Sequence, residues 1–383
     1  MLPVVLIGGI HHNMLGVVRA LGERGVPKFF LNVIIIGQSF QRRNIISTSK
    51  YLSLNRIKYI QTDAEILDVL LTIAKDGEKK IIICCSDGSA TEVMKHKCEL
   101  QNTYFLPSLN VDVAELMSKE NQTKIAFNCG LTVPKSDTLK CSENPQWNIF
   151  PCITKPIKST LGAGKADIYV SYSMFELKKV LKETQSESVQ IQEFIEKSME
   201  FQLIGCSLDC GNRVIIPGYT DIIRQPENTN TGYLKYNPIN QLNFDLSGVK
   251  KFIQTIGYSG LFSVEFLRGK DGCDYFMEIN MRNDGNAYCV TSAGVNLPYI
   301  WYYYNAYGKM PKEEPLSFEK SVYFIPDIVD LKRGITAVGV FGWIKQFVKA
   351  ESHSTYNKYD KMPFLVDVWN FCKRQIHKVV KRH

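Results

Sequence analysis

The chain has 383 residues, of which 45% are hydrophobic and 22% charged, with a net charge of +8 at neutral pH. That is ordinary for a soluble globular protein with room for two or three domains. No RNP, zinc-finger or helix-turn-helix pattern accompanies the mild positive charge, which argues against nucleic-acid binding. Eleven cysteines, scattered without a CxxC pair, exclude an evident disulfide framework or zinc site and fit a reducing cytoplasm.

At the N-terminus VVLIGG is too short for a signal sequence or a membrane span and reads as a first strand. An amphipathic helix, HNMLGVVRALGERG, and a second apolar strand, NVIIIG, follow it. After them come the helix DAEILDVLLTIAKDG, the strand KIIICC, with Cys84 and Cys85 as core residues, and the loop SDGSAT. Strand and helix alternating in this way predict a parallel, Rossmann-like α/β domain over residues 1–110. Gly8, Gly9 and Gly16 do not form GxGxxG, so no dinucleotide fingerprint is present. The domain is either a packing scaffold or a holder of substrate at its strand ends. The pair His11-His12 reads as loop, either plain or lining a pocket.

The texture changes from residue 111. VDVAELMSKENQTKIAFNCG predicts one helix ending at Gly130, followed by the strand CITKPI, the glycine loop STLGAGKAD, a helix around SMFELKKVLKET and the strand VQIQEFIE. Residues 200–223 are strand-rich, and the helix GVKKFIQTIGYSG feeds the stretch FSVEFLRGKDGCDYFMEIN. An α+β domain of two lobes, about 111–190 and 191–310, is expected here. The remainder, 311–383, reads as a basic helical extension.

FSVEFLR and CDYFMEIN around the turn GKDG predict a β-hairpin. In the register set by Gly269 and Gly272, Glu265 lies opposite Phe276. Glu265, Glu278 and Asn280 then share a face, and the two glutamates are diagonal neighbours roughly 7–8 Å apart. Two carboxylates held so close on an apolar sheet need a proton or a cation. With an amide oxygen they suit a hard ion such as Mg²⁺, the alternative being a solvated face with two unrelated acids.

Other residues converge on the same chemistry. Lys155, inside the apolar strand ITKPI, is costly there unless it meets an anion. The loop after it, SxLGAGK, offers Gly162 and Gly164 to close over a polyphosphate through backbone amides, although its spacing is not that of a P-loop. QEFIEKSME places Glu193 at a strand end with Glu200 beyond a short turn, suited to an adenine edge and to ribose hydroxyls. Arg282, two residues past Asn280, could clamp a phosphoryl oxygen or pair with one of the glutamates.

In this order the residues resemble the ATP-grasp superfamily, and most closely its carbamoyl-phosphate-synthase-like and D-aspartate-ligase-like branch with an E-x-N-x-R signature, here Glu278-Ile-Asn280-Met-Arg282. The resemblance covers roughly residues 1–310. It implies that Lys119 and Lys155 contact ATP phosphates and that the segment from Glu193 through Ile195 to Glu196 forms the adenine hinge. It also implies that Glu200 binds ribose, that Glu265, Glu278 and Asn280 hold Mg²⁺ (with Mn²⁺ as a substitute), and that Arg282 stabilises the phosphoryl group. Two departures stand out: Ser118 precedes Lys119 where the family often has aspartate, and NDGNAY after Arg282 is not the serine-rich version of carbamoyl phosphate synthases.

The expected activity is ATP-dependent ligation of a small-molecule or amino-acid carboxylate to an amine through an acyl phosphate. A kinase of the same fold and a non-catalytic nucleotide-binding protein are the alternatives. Arg224, after a strand in YTDIIRQ, is a candidate for the acid substrate. GVFGWIKQFVKA and LVDVWNFCKRQIHKVVKRH predict amphipathic helices with Trp343 and Trp369 on a basic background. They are read as packing on the core or on a second copy of a homodimer, with peripheral contact to an anionic membrane as the alternative.

Overall fold

The computed structural model describes residues 1–37, 43–156, 168–184, 186–225 and 231–380. The leading unit runs through β1 (Val4–Gly8), α1 (His12–Glu23), β2 (Leu31–Ile36), β3 (Ile57–Ile60), α2 (Ile66–Ile73), β4 (Lys80–Cys84), α3 (Asp87–Lys95), α4 (Lys97–Leu100) and β5 (Tyr104–Phe105). A middle section follows, with α5 (Val113–Leu116), α6 (Lys119–Asn128), β6 (Ser136–Lys140), β7 (Cys152–Pro156), β8 (Tyr169–Ser171), α7 (Met174–Glu183) and β9 (Ser188–Glu193). The chain then forms β10 (Lys197–Leu208), β11 (Arg213–Arg224), β12 (Tyr233–Pro238), α8 (Ser247–Thr255), β13 (Gly260–Gly269), β14 (Asp274–Asn280), α9 (Tyr288–Ser292) and α10 (Leu297–Tyr307). It closes with β15 (Val322–Ile325), α11 (Asp327–Lys349), β16 (Ser352–His353) and α12 (Met362–Val380).

Three sheets organise these elements. The leading sheet is parallel with order β3-β2-β1-β4-β5. Its strand order reverses between β1 and β4, a topological switch point of the kind outside which open α/β sheets bind ligands. A small antiparallel sheet, β6-β9-β7-β8, carries α7 over a cluster built on Cys152, Leu177, Leu181 and Ile191. The large sheet, β14-β13-β10-β11-β12-β15-β16, takes strands from both sides of residue 310. One core joins Val5 and Ile7 of the leading sheet to Val264, Phe266 and Phe276 of the hairpin, so the two units share a continuous apolar interior.

Two elements differ from the sequence expectation. SDGSAT is not a loop: the Ser86 side chain accepts from the Ser89 amide and starts α3 at Asp87, an N-cap that favours helix directly after a strand. The single helix expected before Gly130 is broken at Met117-Ser118, which makes Lys119 the first residue of α6. The kink in α11 falls at Gly339, where φ is +72°, a conformation glycine adopts without a Cβ penalty.

The C-terminal elements are tied down by buried charge. Asp327 accepts from the Thr355 and Tyr356 amides at 2.6 and 2.9 Å and from the Ser354 hydroxyl at 3.2 Å, with His353 Nδ1 2.7 Å away. Asp330 is bidentate to Arg224, at 3.0 and 2.5 Å. Arg19 of α1, fully buried, reaches Asp360 Oδ2 at 3.1 Å and the Thr355 carbonyl at 2.7 Å.

Candidate active site

Hairpin geometry decides what the two glutamates can do. Leu267 and Phe266 pair with Tyr275 and Phe276, but Glu265 pairs with Glu278 and Ser263 with Asn280, so Met277 is an extra residue in β14. This bulge corrects the expected register: the glutamates are direct cross-strand partners, not diagonal ones. It also explains how both faces are served, because two residues apart no longer means one face across a bulge. Phe276 turns into the core beside Phe266, while Glu278 turns to the opposite face beside Glu265.

The neighbouring strand completes that face. Gln202 of β10 lies opposite Glu265 and donates Nε2 to Glu265 Oε1 at 3.1 Å, as Asn280 Nδ2 does at 3.2 Å. Asn286 in turn donates to Gln202 Oε1 at 2.8 Å. Burial, then the charge of Glu278, pushes the Glu265 carboxyl up to about 8. Burial acts the same way on Glu278, but Lys119 outweighs it and holds that group below the usual carboxylate range. One glutamate of the pair is therefore protonated near neutrality until a cation takes the proton's place.

Lys119 reaches Glu278 Oε2 at 3.1 Å. Its position is fixed one turn on by Gln122, which accepts from the Ile279 amide at 3.0 Å and donates to the Ile279 carbonyl at 3.3 Å, docking α6 on the edge strand β14. Lys155, on β7, donates to Gln192 Oε1 at 2.5 Å. Burial, with Lys119 adding repulsion, lowers its ammonium to about 8. Two cations, from α6 and from the small sheet, thus lie near the two acids of the large sheet.

Arg282 closes the site from the leading unit's side. Its guanidinium meets Asp284 at 2.7 Å and Asp87, at the start of α3, at 3.1 Å, so the anticipated pairing with a glutamate is replaced by two aspartates. Burial opposes its charge, but those acids hold its basicity above normal. Asp284 is set by the Ser263 hydroxyl at 2.9 Å and the Asn286 amide at 2.8 Å. Asn283 and Asn13 cross-link the segment to α1: Asn283 Nδ2 donates to the Asn13 carbonyl at 3.1 Å, and Asn13 Nδ2 to the Asn283 carbonyl at 3.3 Å.

His11 and His12 lie at this junction, outside the carboxyl end of β1. His11 caps α1, and His12 Nε2 is 3.3 Å from Thr231 Oγ1. A Cβ placed on Gly285 would stand 2.7 Å from Thr231 Oγ1 and 3.7 Å from atoms of both rings, so the chain passes there at a distance that glycine permits. Burial lowers both imidazoles, that of His12 well below normal, so they are neutral near pH 7. His12 is the first residue of α1 and not loop, with His11 as its cap.

The residues expected to form the hinge connect β9 of the small sheet to β10 of the large one. Glu193 ends β9, where its carboxylate accepts from the Lys135 amide at 2.8 Å; the Ile195 amide meets no protein acceptor among the described residues. Glu196 pairs with Lys270 across the strands, and Glu200 is 2.6 Å from Lys197. Gly162 and Gly164 lie outside the described residues. Arg224 is turned away from this face: bidentate to Asp330, 3.0 Å from Gln346 Oε1 and 4.8 Å over the Tyr233 ring, its guanidinium is filled by structural partners. That corrects the expectation of a substrate contact.

Sequence reasoning did not find Gln202, Gln192, Asp87 and Asp284. Asp284 had a signal, since NDGN directly follows Arg282; Gln202 had none beyond its strand parity. Among the described residues no group of three or more His, Cys, Asp and Glu gathers around a point. The donor set of Glu265, Glu278 and Asn280, two carboxylates and one amide oxygen, would leave part of an octahedral shell open, which suits Mg²⁺ carrying waters and phosphates.

Comparison with known proteins bears on the fold. No family model matches the chain. It is 24% identical over 328 residues to a D-aspartate ligase of Enterococcus faecium, covering 77% of this chain and 74% of that protein. Among solved structures it is similar to N5-carboxyaminoimidazole synthetase from Staphylococcus aureus, with a TM-score of 0.59, 16% identity and coverage of 84% of this chain and 81% of that one. The biotin carboxylase domain of Hydrogenobacter thermophilus 2-oxoglutarate carboxylase, solved with MgADP and bicarbonate, gives a TM-score of 0.60 at 18% identity, covering 84% and 74% of the two chains.

Proposed function

We propose that this chain, whose fold is that of the ATP-grasp enzymes, joins a small-molecule or amino-acid carboxylate to an amine at the expense of ATP. The observation that carries the reading is the direct pairing of Glu265 with Glu278, with Asn280 on the same face and Lys119 against the second carboxylate. Four side chains of that kind serve polyphosphate and metal chemistry and do little for stability, because the acids repel each other and lose hydration.

Lys119 and Lys155 would neutralise the phosphates, with the hinge from Glu193 to Glu196 presenting its backbone to the adenine and Glu200 the ribose contact. Mg²⁺, or Mn²⁺ with the same oxygen donors, would be held by Glu265, Glu278 and Asn280 and would draw charge off the transferring phosphoryl group. Arg282, aligned by Asp87 and Asp284, would stabilise the equatorial phosphoryl oxygens and the acyl phosphate.

The substrate carboxylate oxygen attacks the γ-phosphorus as the bond to ADP breaks. The amine nitrogen then attacks the acyl carbon, phosphate leaves and the amine loses a proton. No covalent nucleophile of the protein is required, and all eleven cysteines are free thiols in keeping with a reducing, ATP-rich compartment. His11 and His12, at the carboxyl end of β1, would meet the substrate acid near the switch point of the leading sheet and contribute to specificity.

Hydroxylamine trapping tests this. With Mg-ATP and pooled carboxylic acids, the ligase yields an ATP-dependent hydroxamate together with ADP and phosphate. ADP with a stable phosphorylated product and no hydroxamate would make the protein a kinase, and nucleotide binding without turnover on any acid would make it a binding protein.

A further inference from the structure

The last two helices carry a feature that catalysis does not use. α11 beyond its kink turns Trp343 and Phe347 inward, Trp343 donating to Asp330 at 3.0 Å and Phe347 resting 5.9 Å from Phe364 of α12. The opposite edge of that helix exposes Phe341 at 89% and Val348 at 78%, with Ile344 between them. These positions recur at helical spacing and form one stripe. α12 repeats the arrangement: Val366 is buried, while Leu365, Trp369 at 70% and Ile376 at 63% stand outward.

Charge around the stripes is predominantly positive; the one acid of α12, Asp367, is half-buried against Thr355. From residue 331 to 349 the sequence holds Lys332, Arg333, Lys345 and Lys349 and no acid; from 368 onward it holds Lys373, Arg374, Lys378, Lys381 and Arg382 and again no acid. Lys345, Lys373 and Arg374 are exposed. Among the described residues no helix is long and apolar enough to cross a membrane, so these helices would lie along a surface and not through it. Outward aromatic and aliphatic residues rimmed by cations fit a surface that is apolar beneath an anionic layer. A second copy of the chain offers the opposite match, since it would bring two cationic faces together.

We propose that α11 beyond Gly339 and α12 form a docking surface for an anionic lipid bilayer, with Phe341, Val348 and Trp369 entering the interface and the flanking lysines and arginines meeting lipid phosphates. The surface is independent of the nucleotide site, and holds whether or not the ligase reading does.

Vesicle co-sedimentation of the full chain provides the test. The protein binds phosphatidylcholine vesicles containing phosphatidylglycerol at low salt, leaves them at high salt and ignores pure phosphatidylcholine. Trp369→Glu and Phe341→Glu weaken binding about tenfold or more, and the double reversal Lys373→Glu/Arg374→Glu by a comparable factor, on the scale of about fivefold per basic residue. All four side chains are exposed, so thermal unfolding and ATP binding stay at wild-type values in these variants. No binding to the anionic vesicles at low salt overturns the proposal. So does a concentration-dependent dimer in light scattering that Phe341→Glu dissolves, which would assign the face to self-association.

Discussion

Around Asp327 and Asp330 every buried carboxylate is met by donors: two amides, hydroxyls, His353 and the two arms of Arg224. Around Glu265 and Glu278 the acids are instead set against each other across a β-bulge, with two amide side chains and one lysine for company. Both regions set acids in an apolar interior, Asp327 and Asp330 fully buried and the glutamates partly so, and the accounting of partners separates them. A buried acid whose oxygens are all satisfied belongs to the fold, whereas one left beside a like charge is waiting for a cation or a proton.

Substitutions should divide along the same line. The largest effect is expected from Glu278→Gln, which keeps the shape and removes the charge: turnover falls by about a thousandfold or more, some 4 kcal/mol of transition-state stabilisation. Its thermal midpoint changes little, because the repulsion relieved and the Lys119 ion pair lost offset each other; normal turnover in this variant would sink the metal assignment. Asp330→Asn does the reverse. It leaves Arg224 buried without its counter-charge and lowers unfolding free energy by about 3 kcal/mol, read by denaturant titration, while the folded fraction keeps its turnover.

A smaller effect is read in pH. Glu265 is raised from its ordinary value to about 8, so without metal the folded state holds a proton that the unfolded chain has already released. Stability is then greatest below the unfolded carboxylate value and declines as pH rises from about 4.5 to about 8. Glu265→Gln should flatten that decline, and a slope identical to wild type would show that the proton resides elsewhere. Smallest is the effect at Lys155, lowered to about 8: its charge is present below that value, so turnover should fall as pH passes it. Lys155→Arg, charged throughout, should carry the falling limb to higher pH.

The sequence made the outline legible. Parallel strands, two lobes and the order Lys155, Glu193, Glu265, Glu278, Asn280 and Arg282 follow from periodicity and from charges misplaced in apolar strands. What it hid depended on single residues. Met277 looks like any strand residue, yet as a bulge it decides whether the glutamates are diagonal or opposed. Ser86 begins α3 by side-chain capping that a propensity reading passes over, which hides Asp87, and the break at Ser118 that makes Lys119 a first helical residue has no such signal. Arg224 misled because an arginine after a strand reads the same whether its partner is a substrate or an aspartate 106 residues later.

Arg19 and Asp360, joined across 341 positions of sequence, carry a consequence for synthesis. The guanidinium at the heart of α1 has no counter-charge until almost the whole chain has left the ribosome. The leading unit can collapse early around β1, β2 and β4, but it holds an unpaired buried cation until residues 355–360 arrive. Such distant pairing slows the last step of folding and exposes the nascent intermediate to chaperones. Chains cut short before Asp360 should therefore accumulate as a compact, protease-sensitive form, however intact their catalytic residues.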